Sequence, residues 1–87
     1  MTLAQFQLWL AALRDPKNKQ CFGDYSKEDG SHCAIGLAAA VLDMSSYAVE
    51  ALIPGHSVVI DWNDVDRLTF PEIADRLATT MSVEIVK

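Results

Sequence analysis

The segment "AIGLAAAVL", Ala34 to Leu42, constrains the fold most, because it carries no polar side chain at all. A helix that is apolar all round has no face to turn to water and must be enclosed by its neighbours. Its alanines and Gly36 keep the backbone thin, so the enclosing elements can approach closely. The run falls well short of the ~20 residues that cross a bilayer, so it reads as the buried helix of a soluble core. The chain has 87 residues. A domain of that size buries roughly 60–65 % of its unfolded surface, so most large apolar residues are needed in a single core.

Punctuation around the central run divides the rest. Thr2 and Gln5 form a capping box, in which each side chain satisfies the other's backbone amide. Leu3, Phe6, Trp9, Leu10 and Leu13 follow at helical spacing. Asp15-Pro16 ends that helix near Arg14, since the residue before proline is forced out of the helical region. In "KNKQCFGDYSKEDGSHCA", Asp29-Gly30 is a hairpin signal. Strands are expected near Gln20–Tyr25 and Ser31–Ala34, the second feeding into the central helix at Ala34–Asp43.

Ser45 or Ser46 caps a third helix, "SYAVEALI", which stops at Pro54-Gly55. Val58, Val59 and Ile60 are β-branched and read as a short buried strand. "DWNDVDRLTF" reads as an acidic connector, and Thr69-Phe-Pro-Glu72 as a second capping box opening a helix to about Thr79. "MSVEIVK" is left as a terminal strand or loose tail. The expected fold is a single α+β domain, residues 1–87, mostly helical with about four helices, a short β-hairpin and a candidate third strand at Val58–Ile60. Phe6, Trp9, Leu13, Leu37, Val41, Leu52, Ile60, Ile73 and Leu77 are expected to form its core.

Charge narrows the function classes. Twelve acidic residues against seven basic ones give a net charge of −5. A nucleic-acid footprint needs a basic stripe, so direct nucleic-acid binding is disfavoured. No charged leader or membrane-length run is present, so a cytoplasmic location is expected, with Cys21 and Cys33 as reduced thiols.

The residues suggest several chemistries, each with a plainer alternative. Cys33 opens a helix, where free amides stabilise a thiolate; a cysteine nucleophile would draw on His32 or His56 and an oxyanion donor such as Gln20. The alternative is a small buried residue starting a core helix. Adjacent residues in an extended segment point to opposite faces, which sets His32 and Cys33 apart. Cys21, His32, Cys33 and His56 are zinc-ligand types without the paired spacing of a zinc site. Asp61, Asn63, Asp64 and Asp66 hint at calcium, with Glu72 at the twelfth position of an EF-hand loop, but Asp66 stands where the loop needs glycine. Turn-capping is the simpler role for these side chains. No cofactor and no metal are therefore assigned.

"LTFPEIADRLATT" is similar to the first helix of a helix-turn-helix, yet "SVEIVK" offers little for a recognition helix beyond Lys87. The acidic residues form two groups in the chain: Asp61, Asp64, Asp66, Glu72 and Asp75 near the C-terminus, and Asp24, Glu28 and Asp29 around the expected hairpin tip. A clustered negative face competes with nucleic acid for a basic groove on another protein, or simply keeps a small domain in solution.

Five short matches run in order along the chain: Leu13-Arg14, Lys19-Gln20, Cys33-Ala-Ile-Gly36, Asn63-Asp64, and Thr69-Phe70 with Glu72-Ile-Ala-Asp75. Their order resembles a family of small phage-encoded proteins of unknown function; His32 stands where that family tends to carry a second cysteine. The resemblance implies a phage or prophage origin and supplies no reaction. The leading expectation is a non-enzymatic protein of anti-CRISPR type, which binds a basic host protein such as a nucleic-acid-binding defence complex. A cysteine-dependent hydrolase or transferase using Cys33 is the second reading, and a truncated DNA-binding regulator the third.

Overall fold

The computed structural model describes residues 1–87 and is mostly helical. Helix α1 spans Leu3–Arg14 and begins with the Thr2/Gln5 capping box. Asp15 then turns extended (ψ 116°), as a residue preceding proline must. Helix α2, Ala34–Leu42, ends at Asp43 in the left-handed conformation (φ 53°). Helix α3, Ser46–Leu52, is capped by Ser45, whose hydroxyl accepts from the Ala48 amide at 3.1 Å. The axes of α2 and α3 bend by 101° across that break.

Helix α4 runs from His56 to Asp64, and here the expectation of a third strand fails. Strand preference of β-branched residues spans only ~1 kcal/mol and yields to burial. Val59, Trp62 and Asn63 are buried at helical spacing while Val58 faces solvent, so a helix buries what an extended strand could not.

Helix α5, Phe70–Arg76, starts with the Thr69/Glu72 capping box and proline in its first turn. It continues without a turn through a π-helical segment, Leu77–Met81, into α6, Ser82–Ile85. Neither a terminal strand nor a loose tail forms. Ile73, Leu77, Met81 and Ile85 are all buried, four residues apart. In a regular α-helix that spacing drifts about 40° per step, so a wider turn keeps the stripe on the core. Within the wide turn Thr79 and Thr80 donate their hydroxyls to the carbonyls of Asp75 and Arg76.

No sheet and no hairpin form, which corrects the α+β assignment to a helical domain. Asp29-Gly30 does turn the chain, with Gly30 at φ 85° and Asp29 accepting from the Ser31 amide at 3.0 Å. Pairing stops after one antiparallel bridge, Ser26 with His32, and one parallel bridge, Gln20 with His32. It cannot lengthen, because Cys33 is already the N-cap of α2.

Helix α2 lies at the centre, packed by α1, α3 and α4, while α5 closes against α1 and α4. Trp9 is fully buried, meets Phe6 edge to face, and donates its indole N–H to the Ala34 carbonyl at 2.9 Å. Phe6, Leu13, Leu37, Ile73 and Leu77 join it in the core, together with Ile35, Val49, Ile53, Val59 and Ile85. Leu52 and Ile60 lie at the core's edge, and Val41 is exposed, while its neighbour Leu42 packs against the core. No single helix is long and apolar enough to cross a membrane.

Candidate functional site

Between α1 and α2, residues 15–33 form an irregular loop with little secondary structure of its own. An irregular backbone can be laid against a core only if its polar groups find partners elsewhere. Asn63, fully buried at the end of α4, provides several of them. Its Oδ1 accepts from the Ala34 amide at 3.1 Å and from Gln20 Nε2 at 2.9 Å. Its Nδ2 donates to the Cys21 carbonyl at 2.9 Å and to Asp64 Oδ1 at 2.8 Å. One amide side chain thus joins the loop, the start of α2 and the end of α4.

The next residue extends the junction. Asp64 Oδ1 accepts from the Gly23 amide at 3.1 Å, and Gln20 Nε2 also donates to the Leu68 carbonyl at 2.8 Å. Arg67, at φ 51°, sets its guanidinium 4.6 Å from the centre of the Phe22 ring. The loop is therefore fastened at residues 20–23 to the end of α4 and the connection that follows it. It also lies tightly on α2: a Cβ at Gly36 would stand 1.8 Å from the Tyr25 carbonyl oxygen. Only glycine permits that approach.

This arrangement leaves a cleft of about 300 Å³ lined by Gly23, Asp24, Tyr25, Cys33, Ile60 and Asp64. Two acidic groups far apart in the chain meet there, Asp24 from the loop and Asp64 from α4. Tyr25 forms one wall and donates its phenol to Glu50 of α3. That bond, and then burial, raises the phenol to about 12, so it stays protonated at neutral pH.

Cys33 lies at the floor, 5 % exposed, with its sulfur accepting from the Gly36 amide at 3.4 Å. Burial pushes its thiol up, outweighing the opposing pull of the Gly36 and Ile35 amides. The other groups named for thiol chemistry are engaged elsewhere. His32 places Nδ1 2.6 Å from Ser26 Oγ, His56 Nε2 stands 3.7 Å from Glu50, and Gln20 is held by Asn63 and Leu68. No three His, Cys, Asp or Glu side chains converge as a metal-ligand group. Asp61, Asn63 and Asp64 lie in the last turns of a helix rather than in a loop. The α5 segment lacks the second helix of a helix-turn-helix, since α6 continues it directly.

The acidic residues divide by what they do. Asp29 and Glu72 satisfy local amides, and hydrogen bonds from Ser31 and Thr69 hold both carboxyls below their ordinary values. Asp75 pairs with Arg14 at 3.0 Å, and Asp64 anchors Gly23. The side chains of Asp24, Glu28, Asp61 and Asp66 are exposed and make no hydrogen bond or ion pair within the chain.

Asn63 was the residue sequence reasoning missed as an organiser. Its trace was there: with Val59 and Trp62 it continues a helical stripe, and a polar side chain on such a stripe must be hydrogen-bonded internally. Reading Val58–Ile60 as a strand hid that stripe. Comparisons with protein-family models, curated proteins and solved structures return no match.

Proposed function

We propose that this chain is a non-enzymatic interaction protein that uses the acidic face around the cleft to engage a basic surface on another protein. The observation that carries the reading is the meeting of Asp24 and Asp64 in one cleft, bringing two separate acidic segments together. Asp24, Asp61 and Asp66 leave their carboxylates unpaired, so their charge is available to a partner. Unpaired carboxylates on a rigid scaffold speed encounter with a basic partner and do so less as salt rises. The engagement of His32 with Ser26 and of His56 with Glu50 leaves Cys33 without an imidazole to act as general base, which favours binding over thiol catalysis. The resemblance to small phage proteins makes a host protein the natural partner class, a nucleic-acid-binding defence complex among them.

The test compares the wild-type chain with an Asp24→Lys, Asp61→Lys, Asp66→Lys variant as bait in bacterial lysate across a salt series. The expected result is a partner with a basic surface, released by salt and lost at least tenfold by the variant, whose melting curve is unchanged. Equal capture by both baits, or capture indifferent to salt, overturns the reading.

A further inference from the structure

Cys21 and Cys33 are both free thiols and both buried, at 4 % and 5 % exposure. Their backbones are neighbours through His32. The His32 amide donates to the Lys19 carbonyl at 3.0 Å, and the Cys21 amide donates to the His32 carbonyl at 2.8 Å. That pattern is a parallel bridge pairing Gln20 with His32, and Cys21 and Cys33 are the residues that follow the bridged pair on the two segments. Residues in register across parallel segments point to the same side, with backbones about 4.8 Å apart. Disulfides form between Cα atoms about 4.4–6.8 Å apart. The antiparallel bridge agrees: Ser26 and His32 share one side, where their side chains touch, which leaves Cys21, Cys33 and Tyr25 on the other.

We infer that Cys21 and Cys33 form a redox-modification site, a dithiol that closes to an intramolecular disulfide on exchange with a small-molecule disulfide such as glutathione disulfide. Cys33 is the entry point, because it lines the open cleft whereas Cys21 does not. Its thiol loses a proton, and the thiolate attacks one glutathione sulfur, breaking the S–S bond and expelling a glutathione thiolate. The Cys21 thiolate then attacks the Cys33 sulfur of the mixed disulfide and expels the second glutathione. Two protein thiols are oxidised, one glutathione disulfide is reduced to two thiols, and the two released protons go to the departing thiolates.

Closure takes each sulfur from its present partner. Cys33 Sγ leaves the Gly36 amide, and Cys21 Sγ leaves the Asp24 carbonyl, 3.4 Å away at the cleft wall. Oxidation therefore reshapes the cleft as well as cross-linking the loop to the start of α2. The chemistry stands whether or not the cleft binds a partner.

The experiment incubates the reduced, folded chain with glutathione disulfide at pH 8 and follows intact mass and proteolytic peptides. The expected product is a monomer lighter by two hydrogens, with Cys21 and Cys33 in one linked peptide and a melting temperature different from the reduced form. Cys21→Ser, unable to resolve the first step, is expected to stop at a glutathione adduct on Cys33. An unchanged wild-type mass while the unfolded chain reacts overturns the inference. So does a wild-type chain that ends as a glutathione adduct or a covalent dimer.

Discussion

The helical body and the loop of residues 15–33 solve the same problem in opposite ways. In α1, α2 and α5 the backbone satisfies itself, and side chains are free to pack. In the loop, backbone groups depend on partners distant in the chain: Cys21 on Asn63 and Gly23 on Asp64. The body draws its stability from burying apolar area, the loop from a few directional bonds in a dry environment. The candidate site sits on the loop because a chain free of helical regularity can turn Asp24, Tyr25 and Cys33 toward one space.

The comparison is broken most forcefully in the body. Trp9→Ala removes the largest fully buried side chain and its bond to Ala34, and is expected to cost about 3–5 kcal/mol. Chemical denaturation should show a lower midpoint with α1, α2 and the loop lost together. Loss of the loop alone would mean that the two regions are less dependent than their packing indicates.

Asn63→Ala sharpens the contrast, leaving the Ala34 amide and the Cys21 carbonyl without this partner at an expected cost of about 2–3 kcal/mol. Hydrogen exchange should accelerate at the Cys21, His32 and Cys33 amides while the middle of α1 stays protected. Uniform acceleration along the chain would show that Asn63 supports the body as much as the loop.

The smallest effect is expected at Tyr25. Its phenol is raised from 10.0 to about 12 in the folded chain, mainly by the bond to Glu50. A group whose value rises on folding adds stability that is fully present below its unfolded value. That contribution is lost as the pH climbs from about 10 to about 12. Tyr25→Phe should therefore reduce the decline in stability over that window, and the phenolate absorbance that disappears with the substitution should titrate near 12. A midpoint near 10 would show that the Tyr25–Glu50 bond does not hold in solution.

Helices announced by caps were legible in the chain. Thr2 with Gln5, and Thr69 with Glu72, mark helix starts through contacts three residues apart, which no distant element has to supply. The apolar run of α2 was legible for the same kind of reason, since its lack of polar groups leaves burial as the only option. Val58–Ile60 was misread because a short β-branched run carries no direction of its own. The hairpin was misread differently: its turn exists, but the length of a strand pairing depends on what the flanking chain must do next, and here it must cap α2.

By itself, the sequence determined a helical core around Ala34–Leu42, the starts of α1 and α5, and a net negative charge, all of which rest on local or additive properties. Only the tertiary structure decided that Asn63 holds the loop, that Asp24 and Asp64 share a cleft, and that Gln20 bridges His32. Those outcomes join residues up to 43 positions apart. Their bonds strengthen only after the core has excluded water, so no short stretch of sequence carries them.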